Sequence, residues 1–208
     1  MSTRTFLSGP ATQVAPSLLG AVLRHEGVSV RLTEVEAYAG AQDPGSHAFR
    51  GPTPRNQVMF GPAGHLYVYF TYGMHTCANV VCGPDGEAQA VLLRAGEILT
   101  GVDTARERRT SARTGRIPPD RDLARGPARL AQALGLSLDD YGTDLLAGGP
   151  LSLDLPTDPP DAARLRTGPR VGLRGPGGDG TAYPWRFWLE GEATVSTYRP
   201  AAPLRRRH

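Results

Sequence analysis

The chain has 208 residues, and all of its 23 basic side chains are arginines, against 20 acidic side chains. The absence of lysine excludes Schiff-base chemistry on a lysine amine, pyridoxal-phosphate enzymes and Walker-type phosphate loops, since each needs a lysine nitrogen. The net charge of +3 is mild, so it allows a polyanionic partner without requiring one. The length favours a single domain over residues 1–208, with flexible ends at residues 1–14 and 201–208.

Cysteine and hydropathy exclude further classes of protein. Cys77 and Cys82 are too few for a four-ligand zinc site and lack the CxxC spacing of a redox pair, so we predict two small buried side chains. No segment has the apolar core of a signal peptide or the roughly 18 apolar residues of a membrane span. The histidines show no ligand spacing with acidic residues, and we expect no metal and no cofactor.

The 26 glycines and 19 prolines of the chain divide it into short elements. We predict a helix over residues 15–24 and an alternating strand over residues 28–38. Strands at residues 65–72, 75–81 and 89–95 follow, rich in Tyr, Val, Phe and Leu. Their short glycine-bearing turns favour an antiparallel meander.

The second half begins with a helix at residues 101–109, a basic loop at residues 111–119 and a helix at residues 127–136. We predict a surface connection at residues 150–161 and a flexible loop at residues 175–180. We predict closing strands at residues 186–189 and 193–197. The fold class is therefore α+β, a single mixed domain with a curved antiparallel β-sheet and flanking helices. From Arg94 to Arg129 there are nine arginines and five acids, a local excess of 9 − 5 = +4.

Aromatic and titratable residues concentrate around the predicted strands. Tyr38, Tyr67, Tyr69 and Tyr72 fall within one 35-residue stretch, and His47 lies in the same stretch. Rings with polar tips beside a basic segment are typical of surfaces that stack nucleobases. The alternative is a set of half-buried strand tyrosines, because tyrosine is a favoured strand residue.

Three polar residues interrupt the predicted apolar strands. By two-residue alternation Glu36 shares a face with Val28, Leu32 and Glu34, where desolvation would suit a carboxylate to general-base work; an edge glutamate paired with an arginine is the alternative. Arg94 ends an apolar strand, so a carboxylate or an anion should lie close to it. Asn79 either satisfies local backbone or lines a pocket.

Taken together, these segments resemble the alkyladenine (3-methyladenine) DNA glycosylase family of the mammalian type. The similarity runs from about residue 18 to residue 195 and is carried by ordered motifs. They are VEAYAG at 35–40, TPRN at 53–56, MFGPAGHLYVYFTYGMH at 59–75, VLLRA at 91–95, GPARLAQALGL at 126–136, RVGL at 170–173 and WRFWLEG at 185–191.

The resemblance implies an enzyme that flips a damaged purine out of duplex DNA and hydrolyses its N-glycosidic bond without cutting the strand. Glu36 would activate the attacking water, and Arg94 would help to hold it. The implied roles of the other residues are base pocket for Tyr38, His47, Tyr69 and Asn79, duplex wedge and minor-groove contact for Tyr72 and Met74, and phosphate contact for Arg55 and Arg129.

The implied partner is double-stranded DNA with damaged purines, bound by a monomer that has no membrane contact. The location would be the cytoplasm, at the nucleoid in a bacterium, or the nucleus in a eukaryote. Val35, Pro52 and His75 depart from the family pattern and leave the choice among methylated, deaminated and etheno purines open. Two alternatives remain: a non-catalytic nucleic-acid-binding module, and a bifunctional glycosylase that also nicks the strand.

Overall fold

A computed structural model describes residues 2–71 and 73–201 of the chain. In chain order its helices and strands are α1 (Thr3–Leu7), α2 (Ala11–Ser17), β1 (Val22–His25), β2 (Val28–Tyr38), β3 (Leu66–Thr71), β4 (His75–Cys82), β5 (Gln89–Thr100), α3 (Val102–Arg109), α4 (Pro127–Leu134), β6 (Ser152–Asp154), β7 (Leu165–Gly168) and β8 (Arg186–Leu189).

The strands form one sheet in the order β3-β4-β5-β2-β1-β6, and β8 joins β2 to β7. Every pairing between these strands is antiparallel. The predicted α+β class with an antiparallel sheet is confirmed, and so is the β3-β4-β5 meander. Strand β2 is central, because it pairs with β1, β5 and β8.

The two faces of the sheet have different surroundings. Helices α2 and α4 pack against one face, over an apolar core that includes Val68 of β3, Val80 of β4 and Leu93 of β5. The opposite face carries a smaller cluster that includes Met59 and Tyr67. Because side chains alternate along a strand, each of these strands sends every second residue away from the helices and toward this smaller cluster.

A β-bulge in β2 corrects the predicted face of Glu36. Pairing with β5 is irregular between Leu32 and Val35, so the core-facing residues change from Val28, Val30 and Leu32 to Val35 and Ala37. Glu36 therefore points away from the face that holds Val28 and Leu32, contrary to the strict alternation that we assumed.

The N-terminal region was predicted wrongly in two respects. Residues 1–14 were expected to be flexible, but α1 and α2 bury Leu7, Ala11 and Val14 in the core. The expected helix at residues 15–24 ends at Ser17, and the segment after it pairs with β2 as β1. The two-residue turn at Glu26 and Gly27 has positive φ at both positions, as a tight hairpin requires.

Two segments near the C-terminus also differ from prediction. Residues 150–161 contain β6, which pairs with β1, so they are more than a surface connection. Residues 193–197 form no strand; the Thr194 hydroxyl forms a hydrogen bond with the Thr33 hydroxyl at 2.9 Å.

Cys77 and Cys82 are buried and unbridged, as predicted. Within the described residues, no helix combines the length and the apolarity needed to cross a bilayer. Residues 202–208 lie outside the described part of the chain.

Candidate active site

A pocket of about 410 Å³ opens on the face of the sheet opposite α2 and α4. Strands β2 to β5 form its floor, and the segments around His47 and Leu173 form its walls. The residues that line it include Glu36, Tyr38, Ser46, His47, Met59, Tyr67, Tyr69, Thr71, Cys77, Asn79, Leu92, Arg94, Pro127 and Val171. All of the predicted catalytic and base-pocket residues meet in this central pocket.

Glu36 lies at the buried end of the central pocket with its side chain 1% exposed. Its Oε2 accepts a hydrogen bond from the Tyr38 hydroxyl at 2.9 Å, and its Oε1 accepts one from the Val171 N–H at 2.7 Å. Arg94 Nη1 is 3.3 Å from the same Oε1. The carboxylate is therefore surrounded by donors and not by the apolar strand face that the sequence suggested.

Arg94 bridges Glu36 to a second buried carboxylate. Its Nε donates to Glu34 Oε1 at 2.9 Å, which confirms the prediction of a carboxylate beside this arginine. Glu34 also binds Arg186 Nε at 2.6 Å and accepts the Ser196 N–H at 2.7 Å. Burial opposes the charge of Glu34, but Arg94, Arg186 and Ser196 outweigh it and hold the pKa of Glu34 below its usual range.

Aromatic rings form one wall of the central pocket. His47 meets Tyr69 edge to face at a centroid distance of 4.6 Å, and Tyr67 stacks on Tyr69 at 5.4 Å. His47 Nδ1 and the Tyr67 hydroxyl are 3.0 Å apart, which fixes the imidazole. These tyrosines are half-buried or buried strand residues, as the alternative reading of the sequence expected, and they also present rings to the pocket.

Burial also sets the protonation of these rings. It raises the pKa of Tyr67 to about 12, and together with Cys77 it raises the pKa of Tyr69 well above its usual range. Burial and the Glu36 charge do the same for the pKa of Tyr38. Desolvation, and then the charge of Arg55, lower the pKa of His47. At neutral pH the phenols therefore keep their protons and the imidazole is uncharged.

Asn79 combines the two roles that the sequence left open. Its side chain is 4% exposed and lines the central pocket, while its Nδ2 donates to the Tyr67 carbonyl at 3.1 Å. The hydrogen bond fixes the amide orientation, so the side chain can act as a rigid steric element of the pocket floor.

The predicted DNA-contacting residues that the structure describes lie in separate segments of the chain. Met74 follows Gly73 in the β3–β4 turn and is 70% exposed; Tyr72 lies outside the described residues. Arg55 donates to the Phe70 carbonyl at 2.9 Å and lies over the Tyr69 ring, so it braces β3. Arg129, in the first turn of α4, is exposed.

The basic stretch from Arg94 to Arg129 is partly neutralised within the fold. Arg106 pairs with Asp103 and Asp120, and Arg108 pairs with Glu26. The arginines of this stretch that are exposed and make no ion pair among the described residues are Arg113, Arg116, Arg121 and Arg129. The cationic surface is therefore smaller than the sequence count of nine arginines suggested.

Several site residues were not predicted. The Val171 N–H reaches Glu36, and the preceding Arg170 pairs with Asp43 through two bonds of 2.6 and 2.7 Å. The sequence offered two signals, the arginine of the RVGL motif and the aspartate that follows VEAYAG. These two residues are 127 positions apart in the chain, so their contact could not be predicted. No group of three or more His, Cys, Asp or Glu among the described residues could hold a metal ion.

Comparison with known proteins shows the family of the chain. The family model described as methylpurine-DNA glycosylase (MPG) matches residues 5–193. Proteins named "Putative 3-methyladenine DNA glycosylase" are similar over most of their length. The one from Leifsonia xyli subsp. xyli is 60% identical over 90% of this chain and 87% of its own. The one from Streptomyces avermitilis is 56% identical over 99% of this chain and 95% of its own. The one from Nocardia farcinica is 53% identical over 98% of this chain and 94% of its own. The chain belongs to the methylpurine-DNA glycosylase family, whose members are enzymes that hydrolyse N-glycosyl bonds in DNA.

Proposed function

We propose that this enzyme removes alkylated or deaminated purines from double-stranded DNA by activating a water molecule with Glu36. The observation that carries the proposal is the buried Glu36 carboxylate at the end of a pocket walled by Tyr69 and His47. The pocket volume of about 410 Å³ falls within the range of small-molecule sites. The name 3-methyladenine DNA glycosylase of the bacterial relatives supports an alkylated purine in DNA as the substrate.

In the proposed reaction Glu36 accepts a proton from water as the water oxygen bonds to C1′ of the damaged nucleotide. The C1′–N bond breaks, and its electron pair leaves with the base. Arg94 faces the carboxylate at 3.3 Å and holds it in place during this transfer. A base already methylated at a ring nitrogen carries positive charge, so it departs neutral without an acid. No second acid is assigned, and hypoxanthine and ethenoadenine remain secondary candidates.

The reaction requires that the nucleotide leave the helix, because C1′ is shielded in the stack. Tyr38, Tyr69 and His47 would then contact the extruded base, with the tyrosine faces attracting a cationic purine. Asn79 on the pocket floor would exclude the exocyclic amine of guanine. Tyr72, and Met74 in the β3–β4 turn, would fill the vacated space in the duplex, with Arg55 and Arg129 near the phosphates.

We further propose that the enzyme is monofunctional and acts as a monomer, since each chain carries one complete pocket. Strand cleavage by glycosylases needs an amine that forms a covalent bond to C1′, and the chain has no lysine. Incubating the enzyme with lesion-containing duplex and analysing the strand on a denaturing gel, without heat or alkali, should show intact strands. Breaks at the lesion would contradict this step.

Base release from duplexes that each carry one of 3-methyladenine, 7-methylguanine, hypoxanthine or ethenoadenine tests the proposal. The wild type should release at least the methylated bases. Glu36→Gln should bind the same duplexes and release base at least about 100-fold more slowly. Glu97→Gln is the matched control, because Glu97 is a half-exposed carboxylate on β5 outside the pocket. Full activity of Glu36→Gln would refute the base assignment.

A non-catalytic nucleic-acid-binding module is the second candidate. It would use the tyrosine wall and the exposed arginines, and it predicts duplex binding without base release. Nothing in such a module calls for a buried carboxylate with three donors around it, so the Glu36 geometry favours the enzyme. Absence of release from every duplex of the panel would favour the module.

A further inference from the structure

Arg170 and Asp43 form a buried ion pair behind the central pocket. The side chains of both residues are 0% exposed. The pairing is bidentate, with Arg170 Nη1 and Nη2 on the two oxygens of Asp43 at 2.6 and 2.7 Å. Such a pair costs desolvation that its own attraction scarcely recovers, so stability alone is a weak explanation for its presence.

The guanidinium of Arg170 joins segments that are distant in the sequence. Nη1 also donates to the carbonyl of Ala37, at the end of β2, at 2.9 Å. Nη2 also donates to the carbonyl of Gly177 at 2.8 Å. Arg170 Nε itself has no hydrogen-bond partner, and it is the one buried side-chain nitrogen or oxygen of the described residues in this state. The contacts of the other two nitrogens therefore fix the guanidinium plane.

The guanidinium group also lies over the ring of a pocket residue. The Arg170 guanidinium carbon lies 4.6 Å from the centroid of the Tyr38 ring, with Trp185 at 5.3 Å and Tyr183 at 5.6 Å. The Tyr38 hydroxyl is the donor to Glu36 Oε2. The position of the guanidinium thus determines where the Tyr38 ring, and with it this donor, can lie.

The same pair controls two further contacts of the pocket. Val171, whose N–H donates to Glu36 Oε1, directly follows Arg170 in the chain. Asp43 accepts the N–H groups of Ala39 and Gly45, which shapes the turn that leads to His47. A Cβ on Gly45 would lie 2.7 Å from Arg170 Nη2, so the turn has no room for another side chain.

We infer that Asp43 and Arg170 are positioning residues for catalysis: they place the Tyr38 hydroxyl and the Val171 N–H on the two oxygens of Glu36. This inference rests on the proposed function. Two of the three donors to Glu36 depend on the pair, and an error of about 1 Å in a reacting group can cost about 100-fold in rate.

The test compares Asp43→Asn with Asp144→Asn in single-turnover base release at saturating enzyme. Asparagine keeps the shape of Asp43 and removes its charge and one strong acceptor. Asp144 is the matched control, because it binds Arg4 through both oxygens and neither residue lines the pocket. We expect the release rate of Asp43→Asn to fall by about 30-fold or more, with duplex Kd within threefold of wild type. Asp144→Asn should keep both values within twofold.

A purely structural role would lower the melting temperature and leave the release rate of the folded enzyme unchanged. Circular dichroism at the assay temperature establishes that each variant is folded. Should Asp43→Asn be unfolded, Arg170→Lys replaces it, since lysine keeps the charge but cannot reach the two carbonyls and Asp43 together; it should lose about 10-fold in rate.

A folded Asp43→Asn or Arg170→Lys with a wild-type rate would overturn the inference alone. Failure of both variants to fold would assign the pair to stability and overturn it as well. A wild-type enzyme that releases none of the bases in the panel would instead overturn the proposed function, and the inference with it.

Discussion

Replacing Glu34 by glutamine should both destabilise the fold and slow base release. The carboxylate is 0% exposed and contacts Arg94, Arg186 and Ser196. Glutamine keeps one acceptor oxygen but directs an NH₂ group at one of these donors. Among the described residues, it leaves the buried Arg94 with one carboxylate, Glu36, and the buried Arg186 with none. Breaking a buried ion pair in this way lowers the free energy of unfolding by about 3–5 kcal/mol. For a domain of this size the melting temperature should fall by about 6–20 °C.

The pH dependence of this loss follows from the lowered pKa of Glu34. Its charge contributes full stability above the ordinary carboxyl pKa of about 4.3, and the contribution is lost as the pH falls through the lower pKa of the folded state. The difference in melting temperature between the wild type and Glu34→Gln should therefore be largest at pH 7 and shrink below about pH 4. A constant difference from pH 7 to pH 3 would contradict the assigned charge.

Thermal unfolding by circular dichroism and single-turnover base release at 25 °C provide the two measurements. Glu192→Gln is the control, because Glu192 also lies between two arginines, Arg31 and Arg164, but is partly exposed and does not line the pocket. Glu192→Gln should lower the free energy of unfolding by about 1–2 kcal/mol and leave the release rate unchanged. If Glu34→Gln is no less stable than Glu192→Gln and releases base at the wild-type rate, the buried network does not hold Arg94.

Three further outcomes are expected. Gly96→Ala should lower the free energy of unfolding in urea by about 1–3 kcal/mol, because its Cβ would lie 2.5 Å from a backbone carbonyl oxygen of β2. The control Gly149→Ala adds a Cβ that meets nothing within 4 Å and should be nearly neutral, so equal stabilities of the two variants would contradict the packing. Tyr67→Phe removes the hydroxyl that holds His47; it should slow base release by about 3- to 10-fold and lower the free energy of unfolding by about 1 kcal/mol, and a wild-type release rate would contradict the role of this hydroxyl. Arg129→Gln should reduce the slope of log K against log salt by about 1 in a duplex-binding titration, and an unchanged slope would remove Arg129 from the phosphate contacts.

Local sequence patterns were sufficient for much of the sheet and for the composition of the site. Strands β2 to β5 carry long runs of Val, Leu and Tyr between glycine turns, and such runs specify strands without help from distant residues. Polar residues inside those runs, Glu36, Asn79 and Arg94, stand out for the same reason, and the structure brings all three to one pocket. The absence of lysine, read from composition alone, still limits the chemistry of the site.

Only the tertiary structure decided how these residues face one another. The bulge at residues 32–35 reverses the side-chain alternation of β2, and the sequence shows no signal for it because a bulge depends on pairing with β5. Arg170 and Arg186 are two of the three buried arginines among the described residues, and their partners Asp43 and Glu34 lie 127 and 152 residues away. Periodicity reports which residues alternate along one strand, whereas a buried charge acquires its partner only when the whole chain has folded, and that is why the surroundings of Glu36 could not be read from the sequence.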